Sequence, residues 1–327
     1  MKTCIYGAGA IGGFIGTRLG AQGHAVSAVA RGATLEALCA RGMRVRTSGG
    51  EIASAVNASD DPVRLGTQDL VVVAVKEPSL RAVATRIAPL LRPDTIVLTA
   101  MNGVQWWFFH GMPGPCAGMP LETLDPDGAI GKAIPAPHVV GCVVHASCKL
   151  PEPGVVQHVM GQGLIIGEPE GGTSIRVSQL ANDLNAAGFE CRVSERIQQD
   201  IWYKLWGNMT MNPVSAFTGA TVDRILDDKL ANGFCQGVMQ EAKAIGAAIG
   251  CPIAQTVEDR NAVTRKLGAF KTSMLQDVEA GKPLEIDALL TVVREIAQHV
   301  NIETPKLDAL LGLTRVFARV RGLYPEA

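Results

Sequence analysis

Residues 3–12 read TCIYGAGAIG, and this stretch decides the fold of the first half of the chain. A short apolar strand at 3–6 leads into the pattern Gly7-x-Gly9-x-x-Gly12, and a helix is predicted to follow. In this pattern the first glycine permits a tight turn, the second lets the backbone approach a pyrophosphate, and the third lets helix and strand pack closely. The free N–H groups at the helix N-terminus favour phosphate. The sequence therefore predicts a dinucleotide site formed by Gly7, Ala8, Gly9, Ala10, Ile11 and Gly12.

Strands and helices alternate after this loop. Strands are predicted at 24–31, 69–76 and 95–100, with a helix near 79–91 and a hairpin around Ser48-Gly49-Gly50. The stretch 69–76, DLVVVAVK, is the apolar β-branched run expected of a strand that is buried on both faces. This alternation predicts a parallel sheet in an α/β, Rossmann-like doubly wound domain.

The pattern changes in the second half of the chain. Three short strands with glycine turns are predicted within 138–168, followed by one helix–strand unit that ends near 194. Beyond that point the periodicity predicts helices, at 198–211, 223–249, 255–280, 285–300 and 305–321. We therefore predict a Rossmann-like α/β domain at 1–195, followed by an all-helical domain at 196–327.

Composition narrows the class of partner. Among the 327 residues, 30 Lys and Arg balance 31 Asp and Glu, so no basic excess points to nucleic acid. No apolar run is long enough to span a membrane. Eight isolated cysteines without a C-x-x-C pair predict reduced thiols, no metal site and a cytoplasmic location. A small molecule is the expected partner, and a homodimer is left open.

Two cations and one asparagine follow the predicted parallel strands. Arg31 ends the second strand, and neither SAVAR (27–31) nor the next four residues contain the acid typical of an NAD site. A guanidinium there favours the 2′-phosphate of NADPH/NADP+, although a solvated surface arginine is the alternative. Lys76 could contact phosphate or cap a helix. Asn102 could contact nicotinamide or substrate, or simply form an Asn-Gly turn.

Residues 200–213, DIWYKLWGNMTMNP, place Lys204, Asn208 and Asn212 four residues apart. On a helix they would follow one face, although asparagine is a poor helix former. A solvated face with an exposed Asp200–Lys204 pair is the alternative, but it leaves the asparagines unexplained. The pattern favours a working site.

Three features together resemble the ketopantoate reductase family (2-dehydropantoate 2-reductase). They are Asn102-Gly103, the motif W-x-K-L-x-x-N-x-x-x-N-P at 202–213, and the segment KTSMLQDVEAGKPLEID at 271–287. The similarity covers nearly the whole chain. It implies NADPH-dependent reduction of a 2-keto acid to a 2-hydroxy acid, with ketopantoate converted to pantoate for the synthesis of pantothenate and coenzyme A.

The resemblance also implies roles for residues of the helical half. Lys204 corresponds to the proton donor, and Glu285 to the acid that orients the lysine and the nicotinamide end. Asn208 and Asn212 correspond to amides that hold the hydroxyl and keto groups of the substrate. Ser273 corresponds to the serine that binds the substrate carboxylate.

The remaining roles concern the cofactor. Asn102 matches an asparagine shared by cofactor and substrate, and Arg31 and Lys76 match residues near the 2′-phosphate. Ser147 ends the stretch GCVVHAS, which resembles a strand that touches the cofactor. The assigned chemistry is reasonable on its own terms, because a lysine supplies both a proton and positive charge to a developing alkoxide.

The sequence departs from the family pattern in two places. The segment after Gly103 is unusually long and contains Trp106, Trp107, Phe108 and Phe109 in a row. These aromatic residues could fill the core or a dimer contact, or they could form an apolar wall for a larger substrate. The stretch 216–226 also lacks an asparagine that the family often has. The alternatives are therefore a related reductase for a bulkier keto acid or imine, and a non-catalytic NADP(H)-binding sensor.

Overall fold

The computed structural model describes residues 1–326, which form two compact units. The first unit contains Met1–Met101 and Asp127–Ile197, and the second contains Asn102–Pro126 and the residues from Gln198 onward. The segment 102–126 lies inside the sequence range that we assigned to the first domain, but it clusters with the helical unit. A hydrogen bond ties this segment to the helical unit. The Val104 N–H donates to the Ala288 carbonyl at 3.0 Å.

The first unit is built on one sheet with helices. Its strands are β1 (Lys2–Tyr6), β2 (Ala25–Val29), β3 (Met43–Thr47), β4 (Gly50–Ser54), β5 (Asn57–Ser59), β6 (Leu70–Val73), β7 (Ile96–Thr99), β8 (Val139–Glu152), β9 (Val155–Gly167) and β10 (Glu190–Val193). Its helices are α1 (Ala10–Ala21), α2 (Gly32–Arg41), α3 (Leu80–Ala84), α4 (Ala129–Ala133) and α5 (Ile175–Ala186).

The sheet has the predicted parallel core. The strand order is β4-β3-β9-β8-β7-β6-β1-β2-β5, and β10 pairs with β9. The strands from β8 through β5 pair in parallel. All four residues of β6 are fully buried, as its apolar run predicts. Phe14, Ile15 and Leu19 of α1 are buried in the same core cluster as strand residues such as Ile5 and Val72. The α/β doubly wound fold class is therefore confirmed.

The prediction of three short strands within 138–168 is wrong. This region forms two long antiparallel strands, β8 with 14 residues and β9 with 13. The reason is a β-bulge near Ser147, where the strand register shifts. Gly161 lies there with a φ of +70°, and a Cβ at this position would be 2.4 Å from the His145 carbonyl oxygen. The glycine thus bends the pair without ending it.

The second unit is helical in its regular elements, as predicted. Its helices are α6 (Ile197–Thr218), α7 (Val222–Asp227), α8 (Lys229–Ala248), α9 (Val257–Arg265), α10 (Ser273–Glu279), α11 (Val292–His299) and α12 (Pro305–Val320). A π-helical turn, Asp287–Thr291, precedes α11.

Two predicted helices are each divided by a capping residue. The predicted helix at 223–249 breaks at Asp228, whose carboxylate accepts the N–H groups of Leu230 and Ala231. The predicted helix at 255–280 breaks after α9, and Thr272 then caps α10 through the Leu275 N–H. Side-chain caps thus start new helices where hydrophobic periodicity alone continues.

Two classes of site are absent from residues 1–326. No helix there combines the length and apolar character needed to cross a bilayer. No group of three or more His, Cys, Asp or Glu side chains in this range could hold a metal ion.

Candidate active site

The loop between β1 and α1 has the shape that the glycine pattern predicts. Gly7 has a φ of +100°, and a Cβ there would be 2.7 Å from Val75 Cγ1. A Cβ at Gly12 would be 2.1 Å from the Gly7 carbonyl oxygen. A Cβ at Gly9, by contrast, would meet nothing within 4 Å. The backbone before α1 therefore faces open space at Gly9, which fits the approach of a pyrophosphate.

The predicted phosphate-binding cations lie beside this loop in the sheet order. Arg31 is exposed and immediately precedes α2, two residues after β2. Lys76 is half-buried and lies three residues after β6. Since β6, β1 and β2 are adjacent parallel strands, both cations and the glycine loop follow the carboxyl ends of neighbouring strands. Ser147 is half-buried on β8, two strands away from β6.

The helical unit brings Lys204 and Asn102 together. Lys204 Nζ donates to Asn102 Oδ1 at 2.9 Å, although the two residues are 102 positions apart in sequence. Both side chains are half-buried. This arrangement does not match a solvated helix face with an exposed ion pair. Farther along α6, Asn208 is half-buried and Asn212 is 6% exposed.

Close backbone packing fixes the turn that carries Asn102. Gly103 has a φ of +78°, and a Cβ there would lie 2.3 Å from the Ala288 carbonyl oxygen. That carbonyl belongs to the π-helical turn, which begins two residues after the buried Glu285. The Asn102-Gly103 turn is thus held against the segment that carries Glu285. Such π-helical turns are frequent at functional sites.

The π-helical turn is anchored at its first residue, Asp287. The Tyr324 hydroxyl donates to Asp287 Oδ1 at 2.7 Å. Burial, together with this hydrogen bond to Asp287, raises the pKa of Tyr324 to about 12. The protonated phenol is thus favoured further, and it donates to Asp287. Ser273, the first residue of α10, is exposed, whereas the neighbouring cap Thr272 is buried.

The aromatic residues belong to the core of the helical unit. Trp202 and Trp206 are at most 1% exposed, and their indole N–H groups donate to the Ala242 and Met239 carbonyls of α8. The four residues at 106–109 are at most 8% exposed. The Phe108 ring lies 6.1 Å from the Trp202 ring. This burial favours the core interpretation over a substrate wall.

One residue beside this face was not singled out from the sequence. Arg260 of α9 lies with its guanidinium over the Tyr203 ring and against Gly207 of α6. It belongs to no recognised motif. The sequence offered one indication, Gly207 in the interior of a predicted helix. A glycine alone does not reveal which side chain packs against it.

Comparison with known proteins agrees with this geometry. The family model described as "Ketopantoate reductase PanE/ApbA" matches residues 3–106, and "Ketopantoate reductase PanE/ApbA C terminal" matches residues 196–318. A 2-dehydropantoate 2-reductase from Mesorhizobium japonicum is 43% identical over 325 residues, covering 99% of this chain and 100% of that protein. The chain belongs to the ketopantoate reductase family.

Solved structures agree with this assignment. A protein from Ralstonia solanacearum MolK2, described as a ketopantoate reductase, is 56% identical with a TM-score of 0.95, covering 99% of both chains. A PanE/ApbA family ketopantoate reductase from Ralstonia eutropha JMP134 is 26% identical with a TM-score of 0.84, covering 98% of this chain and 100% of that one. The resemblance found in the sequence is confirmed, while the roles of individual residues stay predictions.

Proposed function

We propose that this chain catalyses the NADPH-dependent reduction of 2-dehydropantoate (ketopantoate) to pantoate, as in the synthesis of pantothenate and coenzyme A. The observation that carries the proposal is the Lys204–Asn102 hydrogen bond on the helix face shared with Asn208 and Asn212. The full-length similarity to a 2-dehydropantoate 2-reductase supports the choice of substrate.

The first unit would hold the cofactor. The backbone of residues 7–12 (Gly7, Ala8, Gly9, Ala10, Ile11 and Gly12) would bind the pyrophosphate, because Gly9 leaves open space there. Arg31 and Lys76 would supply positive charge for the 2′-phosphate, and Ser147 would contact the cofactor from β8. When bound, NADPH supplies the hydride for the keto carbon.

The helical unit would hold the substrate and move the proton. Lys204 would donate a proton from Nζ to the keto oxygen as the oxygen gains negative charge. Its hydrogen bond to Asn102 fixes the ammonium before the substrate binds. Asn102 would contact both cofactor and substrate, and Glu285 would orient the lysine and the nicotinamide end of the cofactor. Asn208 and Asn212 would orient substrate oxygens without adding charge, and Ser273 would bind the carboxylate.

Replacement of the lysine tests the proposal. We expect Lys204→Ala to lower kcat by about 10²- to 10⁴-fold, as is typical for a positioned acid. NADPH oxidation with ketopantoate measures kcat, and a fluorescence titration checks that NADPH affinity is kept. Lys266→Ala is the matched control, because Lys266 is exposed at the end of α9. A near-normal kcat in Lys204→Ala would remove the assigned role.

The same assay separates the alternatives. The bulkier-substrate interpretation rested partly on the aromatic residues at 106–109, which are buried in the core, so only the missing asparagine of 216–226 still supports it. Tight NADPH binding without turnover across a panel of 2-keto acids would instead support a non-catalytic sensor. We further propose a cytoplasmic location and leave homodimer formation open. A ketopantoate reductase from Staphylococcus aureus with the same fold is dimeric.

A further inference from the structure

Arg260 occupies an unusual position beside the Lys204 face of α6. Its guanidinium carbon lies 4.9 Å from the centroid of the Tyr203 ring. The Tyr203 hydroxyl is itself fixed, since it donates to Gln255 Oε1 at 2.7 Å. An aromatic ring beneath a guanidinium holds it in place through a cation–π interaction, which uses none of its N–H groups as hydrogen-bond donors. The arrangement therefore presents a positioned set of hydrogen-bond donors.

The donors of Arg260 are not all used within the described chain. Its Nε is buried and makes no hydrogen bond among residues 1–326. None of the ion pairs found in that range includes Arg260. A buried unpaired donor costs about 1–3 kcal/mol, and more when it belongs to a charged group. An anion bound at the outer nitrogens of Arg260 would compensate the charge of the guanidinium.

Gly207 makes room for the guanidinium. A Cβ at this position would lie 3.1 Å from Arg260 Nη2 and 3.3 Å from Nε. Glycine in a helix interior costs about 1 kcal/mol relative to alanine, so this residue is unfavourable for α6 itself. Its presence allows Arg260 to lie directly on the helix surface.

The position of Gly207 relates Arg260 to the proposed site. Gly207 is three residues after Lys204 and one before Asn208. Helix positions three residues apart have Cβ atoms about 5–6 Å apart, so the guanidinium flanks the lysine face. Both residues lie in the helical unit, together with Asn102 and Ser273.

We propose that Arg260 binds the carboxylate of the 2-keto acid and sets the preference for anionic substrates; this inference rests on the proposed function. In that function Lys204 serves the keto oxygen, and Ser273, the expected carboxylate contact, is neutral. A carboxylate gains most from a charged donor, and arginine can bind it through two parallel hydrogen bonds. Arg260 supplies the positive charge that the serine lacks.

Charge-selective kinetics test this assignment. We expect Arg260→Gln to raise KM for ketopantoate by about 10- to 100-fold, since a hydrogen bond to a charged group contributes about 1.5–3 kcal/mol. KM for the methyl ester of ketopantoate should stay unchanged, because the ester has no negative charge. Arg260→Lys should restore part of the affinity for the acid. Gly207→Ala should act in the same direction as Arg260→Gln but more weakly, because the added methyl group shifts the guanidinium by only a few tenths of an ångström.

Arg265→Gln is the matched control, because Arg265 is on the same helix and pairs with Asp227. It should leave KM for both substrates unchanged. If Arg260→Gln affects the acid and the ester equally, Arg260 only packs α9 against α6 and the proposal is wrong.

A separate binding measurement distinguishes failure of the Arg260 assignment from failure of the proposed function. If the wild-type chain reduces no 2-keto acid, the proposed function fails. Calorimetric titration of ketopantoate into wild type and Arg260→Gln then decides the role of Arg260. Weaker binding to the variant supports the carboxylate contact, and equal binding or no binding to either protein overturns it.

Discussion

The three glycines of the loop before α1 differ in the space around them, and this difference predicts different effects of substitution. Gly7 has a positive φ, and Gly12 faces the Gly7 carbonyl at a distance that no Cβ could occupy. Gly9 has a φ of -80°, which any residue adopts, and open space where its side chain would be. Gly7 and Gly12 thus meet backbone constraints of the fold, whereas Gly9 is the position at which we propose that the ligand approaches.

Alanine substitutions should separate these roles. We expect Gly12→Ala to lower the free energy of unfolding by about 1–3 kcal/mol or more, because the methyl group overlaps backbone. Gly9→Ala should change it by less than about 0.5 kcal/mol. The same variant should weaken NADPH binding by about tenfold or more, a loss of about 1.4 kcal/mol. Urea unfolding and NADPH titration measure the two effects. Normal NADPH affinity in Gly9→Ala would show that no phosphate approaches this residue.

At the scale of elements, α6 shows how far sequence patterns reach. The pattern places Lys204, Asn208 and Asn212 on one helix, and the structure agrees. The helix was predicted to end near 211, but it continues through Pro213 to Thr218. Proline removes the N–H that would bond the Met209 carbonyl, which usually ends a helix. Here the following turn is buried, and this tertiary packing keeps it helical.

Contacts between distant segments are what the sequence could not predict. The glycine loop, the parallel strands around it and the helix that carries the lysine motif follow local patterns, and the structure confirms these elements. The hydrogen bonds from Trp202 and Trp206 to α8 span 40 and 33 residues and follow no local pattern. The sequence likewise left open whether the aromatic residues at 106–109 fill the core or a dimer contact, or form a wall of the site. Arg260 was missed for the same reason, since its partners Tyr203 and Gly207 lie on another helix.

Two tryptophans give a matched test of how α6 is held. The Trp206 indole N–H donates to the Met239 carbonyl at 2.7 Å, whereas the Trp106 indole N–H is buried without a partner among residues 1–326. Replacement by phenylalanine removes the same volume from both sites. We expect Trp206→Phe to lose about 1 kcal/mol more stability than Trp106→Phe, since only the former loses a hydrogen bond. Urea unfolding measures the difference. Equal losses would mean that packing alone anchors the helix.

At the scale of the whole molecule, the burial of the cysteine thiols determines their pKa and their access to reagents. All eight are free thiols, and Cys39 is the one exposed thiol within residues 1–326. Burial raises the pKa of four of these thiols from the ordinary value of 9.0 to about 12, namely Cys4, Cys148, Cys191 and Cys235. Unfolding restores the ordinary pKa, so these thiols favour unfolding as the pH rises above 9.0. Below that pH they stay protonated in both states.

This distribution predicts the course of thiol alkylation. At pH 8 a thiol with a pKa of about 12 is a thiolate in only about one molecule in 10⁴, and the thiolate is the reactive form. We expect iodoacetamide to modify Cys39 quickly and the other seven cysteines only at the rate at which the chain opens. Mass spectrometry after timed quenching measures both phases, and Cys39→Ser should abolish the fast one. A second fast thiol at the half-buried Cys148 or Cys191 would show that the β8–β10 region opens without global unfolding, because local opening exposes only the segment involved.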